Sequence, residues 1–212
     1  MDAVPTSRIE KPRATYEDLL KVPDDKVAEI VDGELYVSPR PAAPHALAAS
    51  VPGVDLGGPF HQGRGGPGGW WIVHEPELHL GEDVLVPDLA GWRRERMPEF
   101  PKAAFFTLAP DWVCEVLSPS TERLDRARKL AVYARSAVGH AWFVNPEART
   151  LEVYRPSENG WLLLVTYASD AVVHAEPFEA VELDLLPLWG ETRPLTEGRG
   201  ASIALSSERT AR

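Results

Sequence analysis

The stretch Asp111–Thr121, DWVCEVLSPST, constrains the fold of this chain more than any other. Trp112, Val113, Cys114, Val116 and Leu117 make a nearly continuous apolar run, the pattern of a strand placed centrally in a sheet. One carboxylate, Glu115, interrupts it. Burying a lone carboxylate costs several kcal/mol unless it is paired, protonated or bound to a metal. Glu115 therefore needs a partner. The next segment, SPSTERLDRARKLAVYARSAVG, is the clearest helix of the sequence. Ser118 or Ser120 can cap it, Glu122 lies in its first turn, and Gly139 closes it. Leu124, Leu130 and Tyr133 give it an apolar stripe.

Strands dominate the rest. Thr15 and Asp18 resemble a capping box and open a short helix, YEDLLKV, which Pro23 ends. AEIVDGELYVSP reads as a β-hairpin turning at Asp32-Gly33. PHALAAS starts a helix that Pro52 and Gly53 limit. The Gly-rich segment 57–69 lacks the Lys-Ser/Thr ending of a P-loop and reads as a flexible connection. WWIVHEPELHL and VLVPDLAGW read as two strands joined by the turn GEDV. AWFVNPEARTLEVYRP is a hairpin, and WLLLVTYAS, AVVHAEPF and VELDLLPLW continue as strands. These elements predict an α+β fold: a mixed β-sheet core with one long helix and a short N-terminal helix. A domain over 15–190 is expected between flexible tails at 1–14 and 191–212.

Charge and composition narrow the function classes. A net charge of −10 argues against a general basic nucleic-acid binder. It leaves room for an enzyme that holds cations with carboxylates and meets nucleic acid at a local basic patch. The RRER run, Arg93–Arg96, is the best local phosphate-binding candidate; its other reading is a solvated charged turn. No run of about 18 apolar residues is present, so no membrane span is expected. No apolar signal segment opens the chain, and the one cysteine, Cys114, forbids an internal disulfide. Both fit a cytoplasmic location.

Three acids have apolar neighbours: Glu29 in VAEIV, Asp88 in LVPDLA and Glu115 in WVCEVL. Carboxylates brought together repel unless a cation neutralises them. Their natural cation is Mg²⁺, or Mn²⁺, because hard ions prefer oxygen ligands. The alternative is structural acids paired with arginines. In the long helix Asp125, Lys129 and Tyr133 follow at i, i+4 and i+8 and share a face. Lys129 can thus reach back over Glu115 to orient water or stabilise phosphate charge. Its plainer reading is a helix pair with Asp125, worth about 0.2–0.5 kcal/mol. His74 and His79, five apart in one strand, face opposite sides and make poor joint ligands. Cys114 reads as a small buried hydrophobe, and the tryptophans as core.

AEIVDGEL, HALA, VLVPDLAGW, WVCEVLSPST and DRARKLAVYARSAVGHAWFVNPEARTLEVYR occur in the order that characterises the Uma-two-type restriction-endonuclease family. The chain resembles that family, part of the PD-(D/E)XK nuclease superfamily, over roughly residues 15–190. The resemblance implies a restriction-endonuclease-like core and Mg²⁺-dependent hydrolysis of phosphodiester bonds, with DNA as the expected substrate. It makes Asp88 and Glu115 the metal ligands, and Glu29 and Lys129 the further catalytic residues. His45, in a position where the family often carries a histidine, joins Arg93, Arg94 and Tyr133 as an expected substrate contact. One departure stands out. Two residues after Glu115, on the same strand face, Leu117 occupies the place of the superfamily lysine. That departure and the acidic charge motivate an alternative, a nuclease-fold protein that only binds nucleic acid or a protein. A third reading is a hydrolase of another bond that uses paired carboxylates. A homodimer is expected if both strands of a duplex are cut.

Overall fold

The computed structural model describes residues 12–194. The segments expected to be loose, 1–14 and 191–212, lie largely outside those residues. In chain order the elements are α1 (Tyr16–Leu19), β1 (Lys26–Val31), β2 (Glu34–Pro39), α2 (Ala43–Leu56) with a π turn (Gly57–His61), β3 (Trp70–His74), β4 (Leu78–Leu80), β5 (Asp83–Leu85) and β6 (Leu89–Arg93). Then come β7 (Trp112–Val116), α3 (Glu122–Leu124), a second π turn (Asp125–Lys129), α4 (Leu130–Arg135), β8 (His140–Asn145), β9 (Thr150–Ser157) and β10 (Gly160–Ala168). A small β11 (Val172–Val173), β12 (Leu183–Asp184) pair and a 3₁₀ turn (Leu186–Trp189) follow. Among the described residues no helix is long and apolar enough to cross a membrane.

The main sheet has the order β10-β9-β8-β7-β6-β3, with β7 inside it, and is antiparallel except for β7 and β8. That parallel pair needs a crossover, which α3, the π turn and α4 supply. Alternation along β7 divides its side chains. Trp112, Cys114 and Val116 enter one core with Ala48 and Leu56 of α2. Val113 enters the other with Val132 and Tyr133 of α4. Glu115, two residues on from Val113, faces the crossover helix. A second sheet, β2-β1-β5-β4, stands beside the first.

The structure is α+β, as the sequence predicts, with local differences, among them the 3₁₀ turn at Leu186–Trp189 where VELDLLPLW is expected to be strand. WWIVHEPELHL and VLVPDLAGW form one hairpin, but it is bent. β3 pairs with β6 in the main sheet, while β4 pairs with β5 in the small one. Pro76 and Pro87 lie at the bend, where a residue without an N–H cannot join a ladder. His74 and His79 consequently belong to different sheets. α2 runs through Pro52 and its helical path continues to His61, so the first five residues of the Gly-rich segment are helical and α2 is a second long helix. The crossover helix ends at Arg135, not at Gly139; Thr121 takes its N-cap position without a side-chain cap bond, while Ser118 Oγ accepts from the Thr121 N–H at 3.3 Å, the capping role expected of Ser118.

Gly139 serves a different need. A Cβ there would meet the Asp111 carbonyl oxygen at 2.7 Å. The chains entering β7 and β8 approach too closely for a side chain. Gly139→Ala is expected to destabilise the fold by about 1–3 kcal/mol. Gly57→Ala, in a helical conformation with open space around it, should be neutral or gain up to about 1 kcal/mol. Urea denaturation of both variants checks the contrast, and equal midpoints would refute it.

Candidate active site

The bend in the hairpin and the crossover helix bring four elements to one cleft of about 320 Å³. Glu29 comes from β1 of the small sheet. Asp88 lies at the bend, just before β6. Glu115 comes from β7, and Lys129 ends the π turn. Asp125, His45, Arg40, Ser118 and Thr121 also line the cleft.

Lys129 is the centre of the constellation. Its Nζ lies 2.8 Å from Glu115 Oε1, 2.9 Å from Glu29 Oε1 and 3.6 Å from Asp125 Oδ1, with the side chain 3% exposed. Backbone donors fix two of the acids. The Val86 N–H donates to Glu29 Oε1 at 2.8 Å, and the Val116 N–H donates to Asp88 Oδ2 at 2.7 Å. The Tyr133 hydroxyl donates to Glu115 Oε1. His45 Nε2 stands 3.6 Å from Asp88 Oδ1.

The electrostatics show an excess of negative charge. Burial drives the Asp88 carboxyl up to about 6, with His45 and the Val116 N–H opposing and Asp125 adding. Burial pushes Glu115 well above the glutamate range, against the pull of Lys129 and with help from Asp125, Asp88 and Glu29. Asp125 is raised for the same reason. Burial alone would discharge Lys129, yet Glu115 and Glu29 hold its pKa well above the usual lysine value. One ammonium therefore faces four carboxylates.

That donor set fits a hard divalent cation. Among the described residues no three His, Cys, Asp or Glu side chains stand close enough to enclose an ion. Mg²⁺ needs no such cage, since one or two carboxylates with water and phosphate oxygens complete its shell. Asp88 and Glu115 are the pair that would hold it.

Glu29, Asp88, Glu115, Lys129 and His45 thus meet in one place. The other expected substrate contacts do not stand on the cleft wall. Arg93 and Arg94 are at the far end of β6, about 16 Å along the strand from Asp88. There the Arg93 guanidinium covers the Trp70 ring at 4.6 Å. Arg94 covers Trp71 at 4.0 Å and donates to the Trp70 and His61 carbonyls. Tyr133 is fully buried beneath Glu115, so it offers no surface to a substrate. Asp125 is the residue that sequence reasoning treats only as half of a helix pair. Its signal was the i, i+4 spacing to Lys129. Leu117 is buried and its N–H donates to the Val144 carbonyl, so the positive charge beside Glu115 comes from the helix instead of the strand.

A family model described as "Uma2: Putative restriction endonuclease" matches residues 13–186. Among solved structures the chain is similar to a putative nuclease belonging to DUF820 from Anabaena variabilis ATCC 29413. The TM-score is 0.64 at 22% identity, over 84% of this chain and 98% of that one. Likeness at that identity shows the fold alone. No curated protein matches.

The raised Asp88 carboxyl has a measurable consequence. Its folded value, about 6, exceeds the ordinary 3.8. Between those values the folded chain keeps a proton that the unfolded chain has released. Ionised Asp88 therefore costs stability at neutral pH, and the cost fades as pH falls below 6 toward 4. In EDTA, Asp88→Asn should raise stability at pH 7.5 by on the order of 1–3 kcal/mol. The gain should shrink toward zero near pH 4. Thermal melts across that range test this; a gain independent of pH would contradict it.

Proposed function

This chain belongs to the Uma2 family, and on that premise we propose that it is a metal-dependent endonuclease. The reading is hydrolysis of phosphodiester bonds in nucleic acid, with DNA as substrate and Mg²⁺, or Mn²⁺, as cofactor. The observation that carries it is the convergence of Asp88, Glu115 and Lys129, from three separate elements, in one acid-rich cleft.

The chemistry such a cation would supply when bound is polarisation of the scissile phosphate and activation of water. Asp88 and Glu115 would hold the cation, and each is oriented by a donor from the scaffold. Lys129 favours the charged form of Glu115, which burial alone would protonate. It also ties Glu29 to Glu115 and so sets the two walls of the cleft at a fixed separation. The approach of a polyanion to a chain of net charge −10 is opposed unless cations screen the cleft. Metal dependence and substrate binding are thereby coupled. Cutting both strands of a duplex would use two copies, each bringing one cleft.

Plasmid DNA and single-stranded RNA, incubated with Mg²⁺ or Mn²⁺, test this directly. Cleavage of DNA is expected, abolished by EDTA and reduced roughly 10³-fold or more by Asp88→Ala or Glu115→Ala. Cutting that survives in both variants overturns the assignment of these acids. If neither nucleic acid is cut but wild-type protein binds DNA, the alternative of a nuclease-fold binding module takes its place.

A further inference from the structure

Each of the three principal acids takes its polar contacts shorter than 3 Å through one oxygen. Val116 pins Asp88 through Oδ2. Val86 and Lys129 pin Glu29 through Oε1. For both, a backbone N–H sets the orientation, and no side-chain replacement removes it. Glu115 differs. Its pins are both side chains, Lys129 at 2.8 Å and the Tyr133 hydroxyl, and both converge on Oε1. Glu115 Oε2 then takes no hydrogen bond among the described residues.

The terminal torsion of a glutamate is broad and roughly two-fold, so an unpinned carboxylate samples many orientations. Lys129 alone does not define one. Its ammonium is shared with Glu29 and Asp125, so its charge is not directed at Glu115 alone. The tyrosine hydroxyl makes a single directed bond, adds no charge, and sits on a ring buried in the core beside Val113 and Val132. Resting on the nuclease reading above, we propose that Tyr133 is a positioning residue. Its hydroxyl fixes Oε1 of Glu115 and so presents Oε2 to the divalent cation. Tyr133 acts through Glu115 and never touches the nucleic acid, which replaces the substrate contact expected from the sequence.

A built-in control exists. Tyr154 donates its hydroxyl to Glu152 Oε2 at 2.6 Å, and Glu152 is also held by Arg126 at 2.7 and 2.8 Å. This is the same tyrosine–carboxylate bond outside the cleft. The experiment compares wild type, Tyr133→Phe and Tyr154→Phe by calorimetric titration with Mn²⁺, with thermal melts and steady-state cleavage alongside. Tyr133→Phe should weaken Mn²⁺ binding by about 10-fold or more. It should lower kcat while leaving KM for the nucleic acid unchanged. Tyr154→Phe should keep wild-type Mn²⁺ affinity even if it melts earlier. Unchanged affinity in Tyr133→Phe, or an equal loss in Tyr154→Phe, overturns the positioning role alone. Failure of the wild type to bind Mn²⁺ overturns the nuclease reading and the positioning role together.

Discussion

The ammonium of Lys129 lies within hydrogen-bond reach of Glu29 and Glu115, and all three side chains are shut away from solvent. Removing such charges from water costs several kcal/mol each, and only close, well-directed pairing offsets it. The partners sit on different elements. Glu29 belongs to the small sheet, Glu115 to the main sheet and Lys129 to the crossover helix. The offset is complete only when all three are docked. Removing one partner of a buried pair typically costs about 3–5 kcal/mol, because the other charge stays behind. One interaction thereby ties the two sheets and the helix into a single arrangement. It also leaves a surplus of carboxylate that the protein alone does not neutralise.

The π turn at Asp125–Lys129 makes that arrangement geometrically available. In a regular α-helix a residue four places on is displaced by about 40° and one eight places on by about 80°. A wider turn reduces that drift, so Asp125, Lys129 and Tyr133 all stay on the face toward β7. Single π turns recur at functional sites for this reason among others. α2 carries a second one, and there the helix persists through Pro52 because Ala48, Leu56 and Phe60 pack against Trp70 and Trp112. Pro52 and Gly53 read as stop signals in the sequence; tertiary burial outweighed them.

Much of the local structure was legible. Both residues of Asp32-Gly33 adopt positive φ, as the hairpin signal requires, and Asp18 accepts from the Thr15 N–H as the capping pattern predicts. The apolar run 112–117 does lie inside the main sheet. The bent hairpin was not legible, because its alternation continues on both sides of Pro76 and Pro87 and gives no sign that the halves join different sheets. Arg93 and Arg94 were misplaced for a related reason. Five residues is a short distance in sequence but the full length of an extended strand.

The sequence by itself determined which side chains bear charge among apolar neighbours, the alternation that turns Glu115 away from Cys114, and the helical spacing that groups Asp125, Lys129 and Tyr133. Those are properties of a single element, whose period is set by backbone geometry. Only the tertiary structure decided that Glu29 and Glu115 share one lysine, that Asp88 sits at a bend facing His45, and that Tyr133 lies under the cleft rather than on it. Those outcomes depend on distances between elements. Coulombic pairing and desolvation act through space, and residue numbering carries no measure of that separation.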